Sequence, residues 1–204
     1  MVAPTAVSLS ANPVSPWSEF TGRPGRCSQP LVTTARARKE LAADAYALLF
    51  PAAHAKGLEF DVDAPDGEVM LTTDVAKARQ ILANLCGNAV KYTDEGGIRL
   101  RLTATEDRAT FEVIDTGIGI APENQGRVFE RFWQVDGGTS RVAGGLGIGL
   151  SAARAYARLL GGDVVMESEL GAGSTFRLWL PRDGKGAAEP AEKRDRRAGA
   201  SSPR

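Results

Sequence analysis

With 204 residues, 43% of them apolar, and 25 basic side chains balancing 25 acidic ones, the chain can hold one well-buried domain plus tails, and it carries no net field to draw it to nucleic acid or an anionic membrane. Its two cysteines, Cys27 and Cys86, are too few for a disulfide framework and point to a reduced setting. No run of about 18 apolar residues and no basic-then-apolar leader marks a membrane span or a signal peptide, so a soluble cytoplasmic protein is expected.

Residues 1–32 scatter Pro4, Pro13, Pro16, Pro24 and Pro30 through an aperiodic stretch and read as a disordered leader. Thr33 or Thr34 is placed to cap a helix carrying Leu41, Ala45, Leu48 and Leu49 on one stripe, which Pro51 should end. Lys56-Gly57 then turns the chain into a strand over 58–62, and Pro65-Asp66-Gly67 leads to another over 69–72. Asp74 is the predicted N-cap of a helix whose core side holds Val75, Ala78, Ile81, Leu82, Leu85 and Ala89. Asn84, Asn88 and Lys91 share a different face, with Tyr92 one turn beyond Asn88; two amides and an ammonium in a row suit a cation and phosphate oxygens, or else form an ordinary solvated face.

Residues 98–104 and 109–115 both alternate and predict an antiparallel hairpin that delivers Asp115 to a sheet edge. Thr116-Gly117-Ile118-Gly119 follows, where backbone or a flat ligand can approach closely, although Asp115 could instead merely cap that turn. Gly144 to Gly149 opens a helix over 150–160, the arrangement that leaves amides and a positive dipole end for phosphate. Neither cluster fits the common nucleotide loops: Leu150 stands where a P-loop has lysine, and Pro122 falls where a dinucleotide fingerprint has its third glycine. The connection 117–149 is long enough to suggest a functional lid. Within it Phe129, Phe132 and Trp133 are spaced like a helix face and could be plain packing, and Arg127 and Arg131 like solvated charges. Strands over 164–168 and 175–180 close the domain, and residues 183–204 read as a disordered tail. The expected fold is an α/β (α+β) two-layer sandwich, a mixed and mainly antiparallel sheet of these six strands covered on one face by three helices.

Four ordered motifs, NLCGNAVKYT (84–93), DTGIGI (115–120), FERFWQ (129–134) and GGLGIGL (144–150), together with GAGSTF (171–176), resemble the N box, first glycine box, F box, second glycine box and pocket-closing segment of the ATP-binding catalytic domain of sensor histidine kinases. This is the Bergerat-type superfamily that also holds the type II topoisomerase, Hsp90 and MutL ATPases, and the resemblance spans about residues 36–182 of a domain taken as 33–182. It implies that Asp115 accepts from the adenine amino group, that Asn88 holds Mg2+ with Asn84 beside it, and that Lys91 and Arg141 meet phosphate oxygens. Tyr92 packs near the nucleotide, while Gly117, Gly119, Gly145, Gly147, Gly149 and Leu150 shape the pocket and lid, and Thr175 supports adenine through water.

The catalytic group implied is Asn84, Lys91 and Arg141. Asn84 occupies the position at which the ATPase branches carry a general-base glutamate, so weak intrinsic ATP hydrolysis is expected. Histidine kinases present their phosphoacceptor on a preceding dimerisation hairpin. Here the only histidine is His54, in PAAHAKGL, which lacks an acidic neighbour and reads as a surface residue. The resemblance therefore implies a truncated kinase that phosphorylates a histidine-bearing dimerisation domain in trans and so acts indirectly on a response regulator. The other reading is an ATP-responsive binding module, or a degenerate kinase fragment, without transfer.

Overall fold

The computed structural model of the chain describes residues 33–65, 67, 69–134 and 146–184; the predicted leader, most of the predicted tail, and Arg141, Gly144 and Gly145 of the lid lie outside the described residues. The chain runs β1 (Thr33–Ala37), α1 (Arg38–Ala55), β2 (Glu59–Asp63), β3 (Met70–Asp74), α2 (Val75–Tyr92), β4 (Gly97–Ala104), β5 (Arg108–Asp115), α3 (Pro122–Gln125), α4 (Gly149–Leu159), β6 (Asp163–Glu169) and β7 (Gly173–Pro181). The main sheet has the order β2-β4-β5-β7-β6. Only β2 against β4 is parallel, so the sheet is mixed and mainly antiparallel, as expected.

Alternation sorts its two faces. Ile98, Leu100 and Leu102 of β4, Phe111 and Val113 of β5, and Phe176, Leu178 and Leu180 of β7 are all buried, in one core with Leu41 and Ala45 of α1, Ile81, Leu82 and Leu85 of α2, and Ala153 and Ala157 of α4. The alternate positions carry charge. Asp63, Arg101, Glu112, Arg177 and Glu167 form an ion-pair ladder that crosses all five strands, with spacings of 3.2, 3.8, 2.6 and 3.2 Å. Single exposed pairs contribute about 0–1 kcal/mol each. The ladder's main effect is on register, because a one-residue slip would break every rung and turn Phe111 outward.

Three expectations are corrected. Thr33 and Thr34 cap no helix; they belong to β1, whose backbone pairs antiparallel with β3 from Thr33↔Asp74 to Ala37↔Met70. The strand expected over 69–72 therefore lies in a separate two-stranded sheet, not in the main one. Pro51 does not end α1, which continues a further turn to Ala55. A proline inside a helix costs about 3 kcal/mol, and here tertiary packing offsets it: Ala53 is fully buried, and the Tyr46 ring lies 5.0 Å from that of Phe50 and 5.2 Å from that of Phe60.

The start of α2 forms as read. Asp74 accepts the Lys77 amide at 3.0 Å and the Lys77 ammonium at 2.6 Å. Burial opposes its charge, but these bonds prevail and hold the carboxyl below the usual range. This cap fixes where the helix begins, and hence the rotation at which it presents Asn84, Asn88 and Lys91.

Candidate functional site

Asp115 ends β5 on the helix-covered side, in register with Ile98 on one side and Ser174 on the other. It is 8% exposed. Its Oδ1 accepts the Gly117 amide at 3.0 Å and the Ser174 amide at 3.2 Å, so the carboxylate does cap the following turn. Its Oδ2 takes no hydrogen bond from the described residues and remains as an oriented acceptor. Burial pushes the carboxyl above its ordinary value, and the two amides work in the opposite direction. The arrangement suits an uncharged N–H donor, such as an exocyclic amine, delivered by a ligand that displaces water.

The glycines beside it serve the protein's own packing. A Cβ on Gly117 would strike the Tyr92 carbonyl and come within 2.9 Å of Thr93 Oγ1; one on Gly119, at φ +66°, would strike the Glu169 carbonyl. The loop is thus pressed between the end of α2 and the β6–β7 turn, where Ile118 N donates to Tyr92 O at 3.1 Å and Gly171 N to Ile118 O at 2.8 Å. Ile120 N donates to Ser168 Oγ at 2.8 Å, and Gln125 Nε2 bridges Ile120 O and Ser168 O at 3.0 and 2.9 Å. At both glycines the space that a Cβ would need is taken by backbone.

On α2, Asn84, Asn88 and Lys91 are half-buried and Tyr92 is exposed. The Lys91 ammonium lies 4.8 Å over the Tyr92 ring. Asn84 Oδ1 accepts from Gln80 at 3.4 Å and lies 3.7 Å from where a Cβ on Gly149 would stand, which sets the beginning of α4 against Asn84. No side chain among the described residues caps the α4 amides, and Ser151 Oγ turns back to the Ile148 carbonyl at 2.9 Å. The first amides of that helix therefore lack intrahelical partners. Leu150 packs on the core. Gly147, at φ +66°, is needed by Phe132 and Trp133, since a Cβ would come within 2.8 Å of the Trp133 carbonyl.

Asn88 makes no side-chain hydrogen bond with the described residues, so its amide oxygen is available to a hard cation. No group of three or more His, Cys, Asp or Glu side chains able to hold a metal occurs among the described residues. One amide oxygen cannot make a cage, but it fits Mg2+ that arrives with most of its shell supplied by phosphates and water.

Strand register separates two adjacent hydroxyl residues. Thr175 pairs with Ile114 and lies on the charged face of the sheet, whereas Ser174 is buried on the Asp115 side with its Oγ 3.0 Å from Ser168 Oγ. Alternation from the buried Phe176 would have found this. Lys56, from the turn after α1, bonds the end of α2 through Val90 O and Thr93 O. In the FERFWQ segment Phe129 is packing: its ring sits 6.5 Å edge-on to Phe176 and under the Arg154 guanidinium at 4.6 Å, which Asp163 holds at 2.9 Å. Phe132 instead adopts φ +63° and is 72% exposed.

A layer of helices over a mixed sheet, with a buried carboxylate at a strand end whose following loop packs on the end of α2, is the architecture of an ATP-binding catalytic domain of the histidine kinase type. Residues 73–184, over half of the chain, match the family described as histidine kinase-, DNA gyrase B- and HSP90-like ATPase, and the chain belongs to that family. It is 38% identical over 148 residues to the peroxide stress-activated histidine kinase mak2 of Schizosaccharomyces pombe, covering 68% of this chain and 6% of that protein. It is 43% identical over 122 residues to the circadian input-output histidine kinase CikA of Synechococcus elongatus, covering 59% and 16%. The chain thus spans a small part of these relatives.

Among solved structures, full-length ShkA in complex with AMPPNP superposes with TM-score 0.68 at 34% identity, over 75% of this chain and 32% of that one. The catalytic domain of histidine kinase ThkA, at 22% identity and TM-score 0.63 over 74% and 97%, shares the fold. No helix among the described residues is long and apolar enough to cross a membrane.

Proposed function

We propose that residues 33–182 bind Mg2+ and ATP and transfer the γ-phosphoryl group to a histidine on a dimerisation domain supplied in trans, from which a response regulator is phosphorylated in turn. The observation that carries the reading is Asp115, one oxygen fixed by two backbone amides and the other left to accept a ligand donor. In this reading Asp115 Oδ2 receives the adenine amino group and Ser174, not Thr175, supports the base. Tyr92 lies along the nucleotide, while Lys91, the α4 amides at Gly149 and Leu150, and Arg141 meet the phosphates.

Asn88, with Asn84 beside it, holds Mg2+, which would neutralise charge on the β- and γ-phosphates. Phosphoryl transfer depends mainly on such positioning and neutralisation, so a site without a protein nucleophile is sufficient. Asn84 offers no base to activate water, which favours transfer over hydrolysis. Catalysis in this reading takes place in the cytoplasm, where ATP is supplied.

The test is calorimetry with ATP and Mg2+, followed by incubation with a histidine-bearing helical hairpin. Binding followed by acid-labile phosphate on the hairpin is expected. Binding without transfer to any hairpin leaves an ATP-responsive module, and no binding at all removes the nucleotide reading. Strong labelling of the chain's own His54, an exposed residue in the last turn of α1, would overturn transfer in trans.

A further inference from the structure

We infer that Lys56 is a positioning residue for the nucleotide site: from the turn after α1, its ammonium fixes the end of α2 that presents Lys91 and Tyr92. The inference rests on the nucleotide reading above and adds a residue to it. Lys56 Nζ donates to Thr93 O at 2.7 Å and Val90 O at 3.0 Å, and reaches Lys91 O at 3.4 Å and Asp94 Oδ1 at 3.3 Å. These are the carbonyls that a helix leaves without partners at its C-terminus, where the dipole favours a cation.

Apart from the Thr93 amide, which returns to Ala89 O at 3.1 Å, and Ile118 N, which takes the Tyr92 carbonyl, no other group among the described residues closes this end of α2. Helices often end on a residue in the left-handed conformation, usually glycine, but the α2 cap, Thr93, is extended at φ −105° and is followed by Asp94, an acid at the negative end of a dipole. Lys56 supplies donors to three of these carbonyls and a cation beyond that of Lys91 in the last turn. It is itself held, because Gly57 at φ +72° closes α1 and sends Lys56 N to Ala53 O at 3.0 Å and Gly57 N to His54 O at 2.9 Å.

The carbonyls at this helix end are divided between two uses. Those of Val90, Lys91 and Thr93 go to Lys56, and that of Tyr92 goes to Ile118 N in the loop whose Gly117 amide orients Asp115. A shift of the last turn of α2 would therefore move Lys91 and loosen the Asp115 cradle together. A cap that served stability alone would lower the melting temperature and leave the affinity of the folded protein unchanged.

The experiment measures ATP affinity with Mg2+, well below each melting midpoint, for the native chain, Lys56→Met and Lys56→Arg. Expected is a loss of about tenfold for Lys56→Met and recovery to within about threefold for Lys56→Arg, whose guanidinium can donate to the same carbonyls. Should Lys56→Met fail to fold, Lys56→Gln, which keeps a shorter donor without the charge, carries the same decision with a loss of about fivefold. Native affinity in a folded, charge-free variant, or an arginine variant as weak as the methionine one, overturns the inference while leaving the nucleotide site intact. A native chain that binds no ATP overturns both.

Discussion

The two halves of the site are built differently. The floor around Asp115 is held largely through the backbone: two amides fix one carboxylate oxygen, and the loop's carbonyl and amide groups are hydrogen-bonded to α2 and to the β6–β7 turn. The wall formed by α2 is made of side chains with little to hold them; Asn88 has no partner among the described residues, Asn84 has one long hydrogen bond, and Lys91 rests over its neighbour's ring. In the nucleotide reading the first half is set before a ligand arrives, and the second should take its arrangement from the ligand. Recognition of the base should thus be largely paid in folding, and recognition of the phosphates in binding.

The largest expected effect breaks the floor. At Gly119 and Gly173 (φ +66° and +105°) an added Cβ would collide with the carbonyls of Glu169 and Asp115 respectively, neither of which can move without opening the sheet edge. Gly119→Ala and Gly173→Ala should each destabilise the domain by on the order of 3 kcal/mol, read as a drop in denaturant midpoint. Gly149→Ala is the control on the other half: its Cβ meets only the Asn84 amide, at 3.7 Å, and stability should stay within about 0.5 kcal/mol. A stable Gly119→Ala protein would mean that the floor is not preorganised.

Next in size is the separation of base from phosphate. Asp115→Asn should weaken both adenosine and Mg2+-ATP by about tenfold to a hundredfold, whereas Asn88→Ala should weaken Mg2+-ATP by about tenfold and leave adenosine unchanged in calorimetry. Equal losses for both ligands in both variants would erase the distinction. The pH dependence follows from the raised Asp115 carboxyl. Its folded-state value exceeds the unfolded one, so its contribution to stability is full below the unfolded value and lost as pH rises through the folded value. Affinity has the opposite sign, because adenine needs the charged acceptor: it should fall on acidification beginning above the range of an ordinary aspartate. Asp115→Asn should remove both slopes and leave the ligand-free domain at least as stable at neutral pH.

These contrasts also explain what the sequence could reveal. Features set by near neighbours were legible: the Asp74 cap, the apolar stripe of α2, the 98–115 hairpin and the arrival of Asp115 at a strand end all follow from spacing within a few residues. What was lost depends on distant partners. Thr33 and Thr34 look like caps until Asp74 and Thr73 pair with them, and Pro51 looks like a stop until Phe60 and Tyr46 pack around its turn. The glycines of the motifs have a reason that no local pattern shows, since Gly117, Gly119 and Gly147 are demanded by Tyr92, Glu169 and Trp133 carbonyls. Lys56 reads as a turn residue because its acceptors lie more than thirty positions away.

The smallest expected effect sharpens the floor to a single position. Ser174 and Thr175 are adjacent hydroxyl residues, and strand alternation puts one beside Asp115 and the other among the charged rungs of the open face. In Ser174→Ala the backbone amide still reaches Asp115 Oδ1, so only a side-chain hydroxyl and its 3.0 Å link to Ser168 are lost. ATP affinity should fall by about threefold, the scale of one neutral hydrogen bond. Thr175→Val keeps the shape and β-branching of an outward residue and should bind ATP as the native chain does. The reverse result would require β7 to be turned over near its start, exposing Phe176 and burying Arg177, and the same slip would break the hydrogen bond from Arg177 to Glu112 at 2.6 Å. The affinity of two conservative variants thus tests the strand register on which the placement of the base depends.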